Sequence, residues 1–274
     1  MGYKQCLHTH SIYCDGKDSL EEMVLTAIDK GFDSIGFSGH SYMDIYSEFS
    51  MDDEKAAAYK AEIARLQQVY GDKIKIYCGL EKDNYTKVST EGYDYLIGSV
   101  HCLQYCDQLV FVDWTAEKSW DAIRNIFGGD GLAYAEAYFD AVADLPNHGS
   151  FDILGHMDLV TKFIEKYPDM FDMDHPRYRA AATKAAESLV GKVKYFEVNT
   201  GAISRGYRTT PYPAPFIIEE MKRLGFGAII SSDCHDRNFL DCAYEEAKQL
   251  LKAAGYTEHY VLKEEGFVAI PLED

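Results

Sequence analysis

The sequence lacks any apolar run of about 18 residues, the length a helix needs to cross a bilayer, so no membrane partner is expected. It has no basic segment followed by an apolar one near its start, which argues against a secretory signal and for a cytoplasmic protein. Positive charge is scarce: 27 Lys and Arg stand against 45 Asp and Glu, a formal net charge of −18. A surface that follows a phosphate backbone needs the opposite sign, so no nucleic-acid partner is expected, whereas a protein that loads cations suits this balance. There is no Cys-x-x-Cys. The seven cysteines (Cys6, Cys14, Cys78, Cys102, Cys106, Cys234 and Cys242) are odd in number, and Cys102 and Cys106 have no second pair at zinc-finger spacing. Reduced thiols, mostly small buried side chains, are the expectation. No internal repeat, low-complexity tract or linker divides the chain, so residues 1–274 are read as one domain. No heptad seam or exposed stripe speaks to an oligomeric state, which stays unknown.

What is present is enough to build a large core. Apolar residues make up 47% and aromatics 14%, which excludes disorder. A length of 274 residues is long for a sandwich and ordinary for an α/β barrel. Hydrophobic spacing predicts helices over 19–30, 52–70, 177–190, 216–224 and 240–254, and over most of 114–144 with a break at the glycines of 128–131. Ser19 and Glu22 form a capping box, and Gly31 and Gly255 stand where helices should stop. Short strands are expected over 3–7, 33–37, 73–78, 94–100, 151–154, 194–198 and 227–231. A strand or hairpin arm is expected over 109–112, and two short strands near Val261 and Val268 finish the chain. Strands alternating with helices imply a parallel sheet covered by helices.

Seven of these strands run into a ligand-type or small polar residue: His8 and His10, His40, Glu81, His101, His156, Asn199, and Asp233 with His235. In a parallel barrel all strand C-termini share one face, where active sites are built. Residues spread over most of the sequence would therefore meet in one pocket. His8-Thr9-His10 alone is a weak signal, but in a strand both imidazoles leave on the same side. Asp15, in the turn-like Cys14-Asp15-Gly16-Lys17, reads equally as a bare turn, and Glu81 could be a surface carboxylate. His148, His175 and His259 lie in loop or polar segments and are left out. The set His8, His10, Asp15, His40, Glu81, His101, His156, Asp233 and His235 exceeds what one ion takes and suits two or three. Imidazole with carboxylate favours zinc, iron or manganese over magnesium or calcium. A glutamate among histidines is the usual bridge between two ions, and paired ions serve phosphoryl transfer.

With these residues assembled, the chain resembles the polymerase-and-histidinol-phosphatase (PHP) family, on its histidinol-phosphate phosphatase branch. The resemblance runs from His8-Thr9-His10 and Asp15-Gly16 through Gly39-His40, Gly79-Leu80-Glu81, Ser99-Val100-His101 and Gly155-His156. It continues through Glu197-Val198-Asn199-Thr200 to Ser231-Ser232-Asp233-Cys234-His235. It implies a distorted (β/α)7 TIM-like barrel with a trinuclear metal site. In the family pattern His8, His10, Glu81 and Asp233 hold one ion. Glu81 bridges to a second with His101 and His156, and Asp15, His40 and His235 hold a third. It implies hydrolysis of L-histidinol phosphate, in histidine biosynthesis, by a hydroxide between metals. Asp233, or a water on the third metal, is the candidate proton donor to the leaving alcohol. Arg205 and Arg208, after Asn199-Thr200, and more weakly Lys162, six residues past His156, are candidates to hold the phosphate; all three also read as ordinary loop residues. The alternative within the family is a phosphoesterase for another small phosphomonoester or a nucleotide. Outside it stand an amidohydrolase-like metal barrel and a non-catalytic metal-binding protein.

Overall fold

The computed structural model describes residues 2–272. In chain order the elements are β1 (Gln5–Cys6), α1 (Leu20–Asp29), β2 (Ser34–Phe37), α2 (Asp53–Tyr70), β3 (Lys75–Asp83), β4 (Tyr95–Ser99), β5 (Cys102–Tyr105) and β6 (Gln108–Phe111). There follow α3 (Ala116–Asn125), α4 (Gly131–Asp144), β7 (Ile153–Leu154), α5 (Pro176–Leu189), β8 (Tyr195–Asn199), the single turn α6 (Gly201–Ser204), α7 (Pro215–Arg223), β9 (Gly227–Ser231), α8 (Tyr244–Ala253), β10 (Glu258–Lys263) and β11 (Gly266–Pro271). No helix among the described residues is long and apolar enough to cross a membrane.

Local signals explain most boundaries. Ser19 caps α1: its hydroxyl accepts from the Glu22 backbone N–H, and the Glu22 carboxylate accepts from the Ser19 N–H at 3.0 Å. Leu20, Met23, Val24 and Ala27 fall on one face and are buried, each large side chain contributing about 1.5–3 kcal/mol. Gly31, at φ +69°, ends the helix in the left-handed region that glycine enters without a steric penalty. Asp52 caps α2 in the same way, accepting from Lys55 N–H at 2.8 Å. Pro176 and Pro215 open α5 and α7 at positions where a missing N–H is harmless.

Seven strands pair in parallel in the order β1-β2-β3-β4-β7-β8-β9. A bridge between Thr9 and Cys234 brings the last strand back to the first. There the His10 N–H donates to Cys234 O at 2.8 Å, and the Cys234 N–H donates to His8 O at 3.1 Å. The result is the expected seven-stranded TIM-like barrel.

Tyr95 fills the barrel interior. Its ring occupies the space where a Cβ on Gly79 would stand 2.2 Å from Tyr95 Cζ, and one on Gly36 would stand 2.5 Å from its hydroxyl. The hydroxyl donates to Leu7 O and, at 3.2 Å, to Phe37 O, so the ring ties β1 and β2 together from inside. Outside, Met23, Tyr59, Ile63 and Leu66 of α1 and α2 pack on β1–β3, while α3, α4, α5 and α7 cover β4–β9. The β10–β11 hairpin closes the N-terminal end. Gln5 exchanges hydrogen bonds with the Leu262 backbone at 2.8 and 2.7 Å, and Leu262 enters the inner core. At the opposite, C-terminal ends of the strands a cleft lies open beside His40 and His101.

The structure differs from the sequence expectation in three places. β3 does not stop at Cys78 but runs to Asp83, because Gly79 is a contact point for the Tyr95 ring and not a turn. Cys102–Tyr105 forms a strand that the sequence reading does not mark, and the arm expected over 109–112 pairs with it as an antiparallel hairpin. The last helix begins at Tyr244; Ala243 sits at φ +54° and separates it from a short turn at Arg237–Phe239.

Candidate metal centre

Six strands and one loop bring all nine expected donors together. His8 and His10 follow β1, His40 follows β2, Glu81 lies in β3, His101 follows β4, His156 follows β7, and Asp233 and His235 follow β9. Asp15 arrives on a tight loop. Gly16 donates to Ser11 O at 3.0 Å, and a Cβ on Gly16 would stand 2.4 Å from Ser11 N, so the loop closes only on glycine. Donor atoms cluster in four overlapping groups: His10, Asp15, His40 and His235; His8, His10 and Asp233; His8, Glu81 and His156; and His40, Glu81 and His101.

Glu81 is the hub. Its Oε2 lies 3.2 Å from His8 Nε2, 3.5 Å from His10 Nε2 and 2.9 Å from His40 Nδ1. Its Oε1 lies 3.3 Å from His101 Nε2 and 3.0 Å from His156 Nε2. One carboxylate thus faces five imidazoles, three on one oxygen and two on the other. A second hub is Asp233, whose Oδ1 is 3.2 Å from His10 Nε2 and 3.6 Å from His8 Nε2. Asp15 makes a third, 3.1 Å from His235 Nε2 and 3.5 Å from His40 Nε2.

The tautomers show what this arrangement needs. His8 Nδ1 lies 2.9 Å from Glu197 Oε2, and His101 Nδ1 lies 2.9 Å from Asp83 Oδ2. An imidazole that donates from Nδ1 to a carboxylate presents a lone pair at Nε2. Those lone pairs point at Glu81, so acceptor faces acceptor at about hydrogen-bond distance. His8 Nε2, His10 Nε2 and Glu81 Oε2 are buried with no hydrogen-bond partner. A cation between them resolves the conflict, and the donor set suits a divalent ion with imidazole and carboxylate ligands. The residues therefore fit the metal ions that the sequence implies.

The titration behaviour agrees. Burial alone would lower the pKa values of His8, His40 and His101, yet the carboxylates around them win, and His101 is raised to about 10. Glu81 is the mirror case: burial would raise it, and His8, His40 and His101 hold it well below the usual range. His10, stacked on His235 at 4.0 Å, is lowered to about 3 by burial and by the charges of His235 and His40. The field at this centre favours any cation, proton or metal.

Arg205 reaches the centre from α6. Its Nη2 donates to Asp233 Oδ2 at 3.0 Å and its Nη1 lies 2.7 Å from His235 Nδ1. Gly201 makes the room: a Cβ there would stand 2.8 Å from Asp233 Cβ and 2.9 Å from Arg205 Nη2. Asp233 itself sits at φ +47°, a strained conformation of the kind found at functional sites. Burial would raise the Asp233 carboxyl, but Arg205 and then His8 hold it well below the ordinary range. That is the opposite of what a proton donor needs, an electrostatic objection to the expected role of Asp233 as general acid. Arg208 makes no contact with the nine donors. It is 6% exposed, donates to Thr161 Oγ1 and Thr210 Oγ1, and lies over the Tyr212 ring. Lys162 lines the open cleft beside His40 and His101, its Nζ on Asp113 O at 2.7 Å and 3.4 Å from Asp113 Oδ2.

Three residues around the donors are not among the sequence candidates. Glu197 binds His8 Nδ1 and also accepts from His156 N–H at 2.8 Å, Asn199 Nδ2 at 2.7 Å and the Ser231 hydroxyl. Asp83 stands two residues beyond Glu81 on the same face of β3 and holds His101. Gly201 is the third. A buried acid inside the otherwise apolar Tyr195-Phe196-Glu197-Val198 is the signal that could have found Glu197. Asp83 becomes visible once β3 is known to continue past Gly79.

A family model described as the PHP domain matches residues 7–201. A Schizosaccharomyces pombe protein named "Probable histidinol-phosphatase" is 27% identical, over 91% of this chain and 86% of its own length. The histidinol-phosphatase of Bacillus subtilis is 25% identical over 87% of this chain and 96% of its own. Among solved structures, that of histidinol phosphate phosphatase from Lactococcus lactis, complexed with zinc, L-histidinol and phosphate, superimposes with a TM-score of 0.69. It shares 22% identity and covers 97% of this chain and 98% of that one.

Proposed function

The chain belongs to the PHP-domain family, and on that footing we propose that it hydrolyses L-histidinol phosphate to L-histidinol and inorganic phosphate, a step of histidine biosynthesis. The observation that carries the phosphoesterase reading is Glu81, one buried carboxylate addressed by five imidazoles from four strand ends. The ester is narrowed by the names of relatives that align over about nine-tenths of the chain.

His8, His10, Glu81 and Asp233 would hold one ion, Glu81 with His101 and His156 a second, and Asp15, His40 and His235 a third. Zinc is favoured, with manganese or iron as alternatives. Divalent ions held there supply Lewis acidity to phosphoryl oxygens and a water of lowered pKa. The protein's own groups do the rest. Glu197 and Asp83 fix the tautomers of His8 and His101, so that both present lone pairs inward. Arg205, held by Asp233, and Lys162, in the cleft lined by His40 and His101, are assigned to the phosphate oxygens, where guanidinium and ammonium donors stabilise developing charge. Arg208, buried on threonine hydroxyls, supports the loop that carries Arg205. Asp233, held by Arg205 through Oδ2, would serve as a ligand through Oδ1, and a water held by Asp15, His40 and His235 would supply the proton for the leaving alcohol.

The test is phosphate release from L-histidinol phosphate by metal-analysed protein, beside other phosphomonoesters, a mononucleotide and a phosphodiester. A kcat/KM about 10³-fold above every competitor, or about 4 kcal/mol of transition-state discrimination, is expected. Comparable slow turnover of many esters would remove the named substrate and keep the phosphoesterase. No turnover with two or three ions bound would refute both.

A further inference from the structure

His10 stands where two donor groups meet, one formed with Asp15, His40 and His235 and the other with His8 and Asp233. Its ring is 1% exposed. Its Nε2 lies 3.2 Å from Asp233 Oδ1 and 3.5 Å from Glu81 Oε2 and is buried with no hydrogen-bond partner. A cation between these atoms requires the lone pair of Nε2, so the ring proton belongs on Nδ1. That proton in turn requires an acceptor, because a buried N–H left unpaired is costly. For His8 and His101 the acceptor is a carboxylate, from Glu197 and Asp83. No third carboxylate of that kind stands behind His10.

Two atoms come within reach of His10 Nδ1: Asp15 Oδ1 and Cys14 Sγ, each at 3.4 Å. Asp15 is engaged elsewhere, since its carboxylate lies 3.1 Å from His235 Nε2 and 3.5 Å from His40 Nε2 as one of the nine donors. Cys14 Sγ belongs to none of the four donor groups, so it stands outside the ligand set. Its S–H points to Ser11 O at 3.5 Å, which leaves the sulfur lone pairs for His10. The backbone holds it there. Cys14 N–H donates to Ser11 O at 2.9 Å in the same tight loop that carries Asp15. Gly39 packs against the thiol: a Cβ there would stand 3.4 Å from Cys14 Sγ and 2.9 Å from Met51 Cε. A thiol in this place accepts one hydrogen bond without adding a second negative charge beside Asp15.

Building on the reading of the nine donors as a metal centre, we propose that Cys14 is a positioning residue for that centre. Its sulfur accepts the His10 Nδ1–H, holds the ring so that Nε2 faces the space between Glu81 and Asp233, and leaves the Asp15 carboxylate free to act with His40 and His235. Cys14 thus does for His10 what Glu197 does for His8 and Asp83 for His101.

The test compares Cys14→Ala and Cys14→Ser with wild type. Cys14 is partly exposed and both changes are small, so the variants should fold. Zinc affinity is read by competition against a chelator of known affinity. The His10 Nδ1–H is read by proton–nitrogen NMR of zinc-loaded protein with isotope-labelled histidine, as the signal missing in His10→Gln. Cys14→Ala is expected to bind zinc about tenfold more weakly and to lose the signal through exchange with water. Cys14→Ser, whose hydroxyl also accepts and donates, is expected to stay within threefold of wild type and to keep it. A side chain that only fills space would not be rescued by serine in preference to alanine. Zinc affinity within threefold of wild type in Cys14→Ala, or equal losses in both variants, would overturn the assignment. So would a sulfur-to-metal charge-transfer band in cobalt-loaded wild type that Cys14→Ser removes, because Cys14 would then be a ligand. The two readings fail separately. A wild type that binds no zinc sinks the metal centre and this proposal with it, whereas zinc bound alike by wild type and Cys14→Ala sinks the proposal alone.

Discussion

Replacing Glu197 by Gln changes one oxygen for an NH2 group and should weaken metal binding without touching a ligand. Glu197 is buried and ionised: burial would raise its pKa, and the neighbouring His8 outweighs that effect. All its partners donate to it. Oε1 accepts from the His156 N–H at 2.8 Å and from Asn199 Nδ2 at 2.7 Å, and Oε2 accepts from His8 Nδ1 at 2.9 Å and from the Ser231 hydroxyl. A glutamine must turn its NH2 toward one of these pairs. Toward His156 it meets a backbone donor that cannot rotate. Asn199 cannot flip without losing the bond its Oδ1 accepts from the Gly201 N–H at 2.9 Å. Toward His8 it forces the proton from Nδ1 to Nε2 and removes the lone pair aimed at Glu81. The first outcome leaves a buried donor unpaired, about 1–3 kcal/mol of folding stability, and the second turns His8 Nε2 from a lone pair into a donor to Glu81. Loss of such an outer partner typically lowers metal affinity about 10–100-fold, or about 1.4–2.7 kcal/mol. Zinc competition against a chelator of known affinity reads this directly, with stoichiometry from elemental analysis. An affinity within threefold of wild type would refute the tautomer argument.

Arg205→Ala should lower kcat/KM for the phosphate ester about 10²-fold or more, the usual loss when one fixed donor to developing charge is removed; elemental analysis should show the ions still bound. Gly79→Ala should destabilise by about 1–3 kcal/mol or more, because the new methyl would fall 2.2 Å from Tyr95 Cζ inside the barrel. A shift in urea midpoint at unchanged slope is the readout, and a midpoint equal to wild type would show that the ring has room to move. His259, 9% exposed on β10, is lowered by burial and then by Lys248 to about 4, from 6.5 in the unfolded chain. Below pH 6.5 the unfolded chain therefore takes up a proton that the folded chain refuses until about pH 4. Stability falls as pH falls through that window, by about 2 kcal/mol between pH 7 and pH 5. Chelator-treated His259→Leu should show an acid limb shallower by that amount in urea unfolding, and equal slopes would rule the group out.

Much of the barrel was legible because strand, polar end and helix recur in order, and because the N-cap of α1 and the glycine after it obey local rules. The nine donors were legible for a related reason. Metal chemistry admits few residue types, and a parallel barrel leaves one place for them, so His, Asp and Glu at strand ends identify themselves. The sequence reading failed where a residue's meaning lies across the barrel. The strand expected over 73–78 runs on through Gly79, which is glycine because a tyrosine from β4 lies against it, and ending the strand at Cys78 hid Asp83. Leu240 to Ala243 carries a helical pattern, but the chain turns there through a left-handed residue before α8 begins.

Glu197 is the instructive omission. Strand periodicity puts it on the same face as Asn199, but nothing local says that it will hold a histidine 189 residues earlier. The phosphate candidates divide on the same principle. Arg205 and Arg208 are three residues apart in one loop and equivalent by composition. Gly201 admits the first to Asp233, while Thr161 and Thr210 bury the second. The candidate donors are thus picked out by residue type in the sequence, whereas the orientation of each depends on partners that the closed barrel brings together. The groups that tune this centre are accordingly the ones to mutate if affinity and tautomer are to be separated from ligation itself.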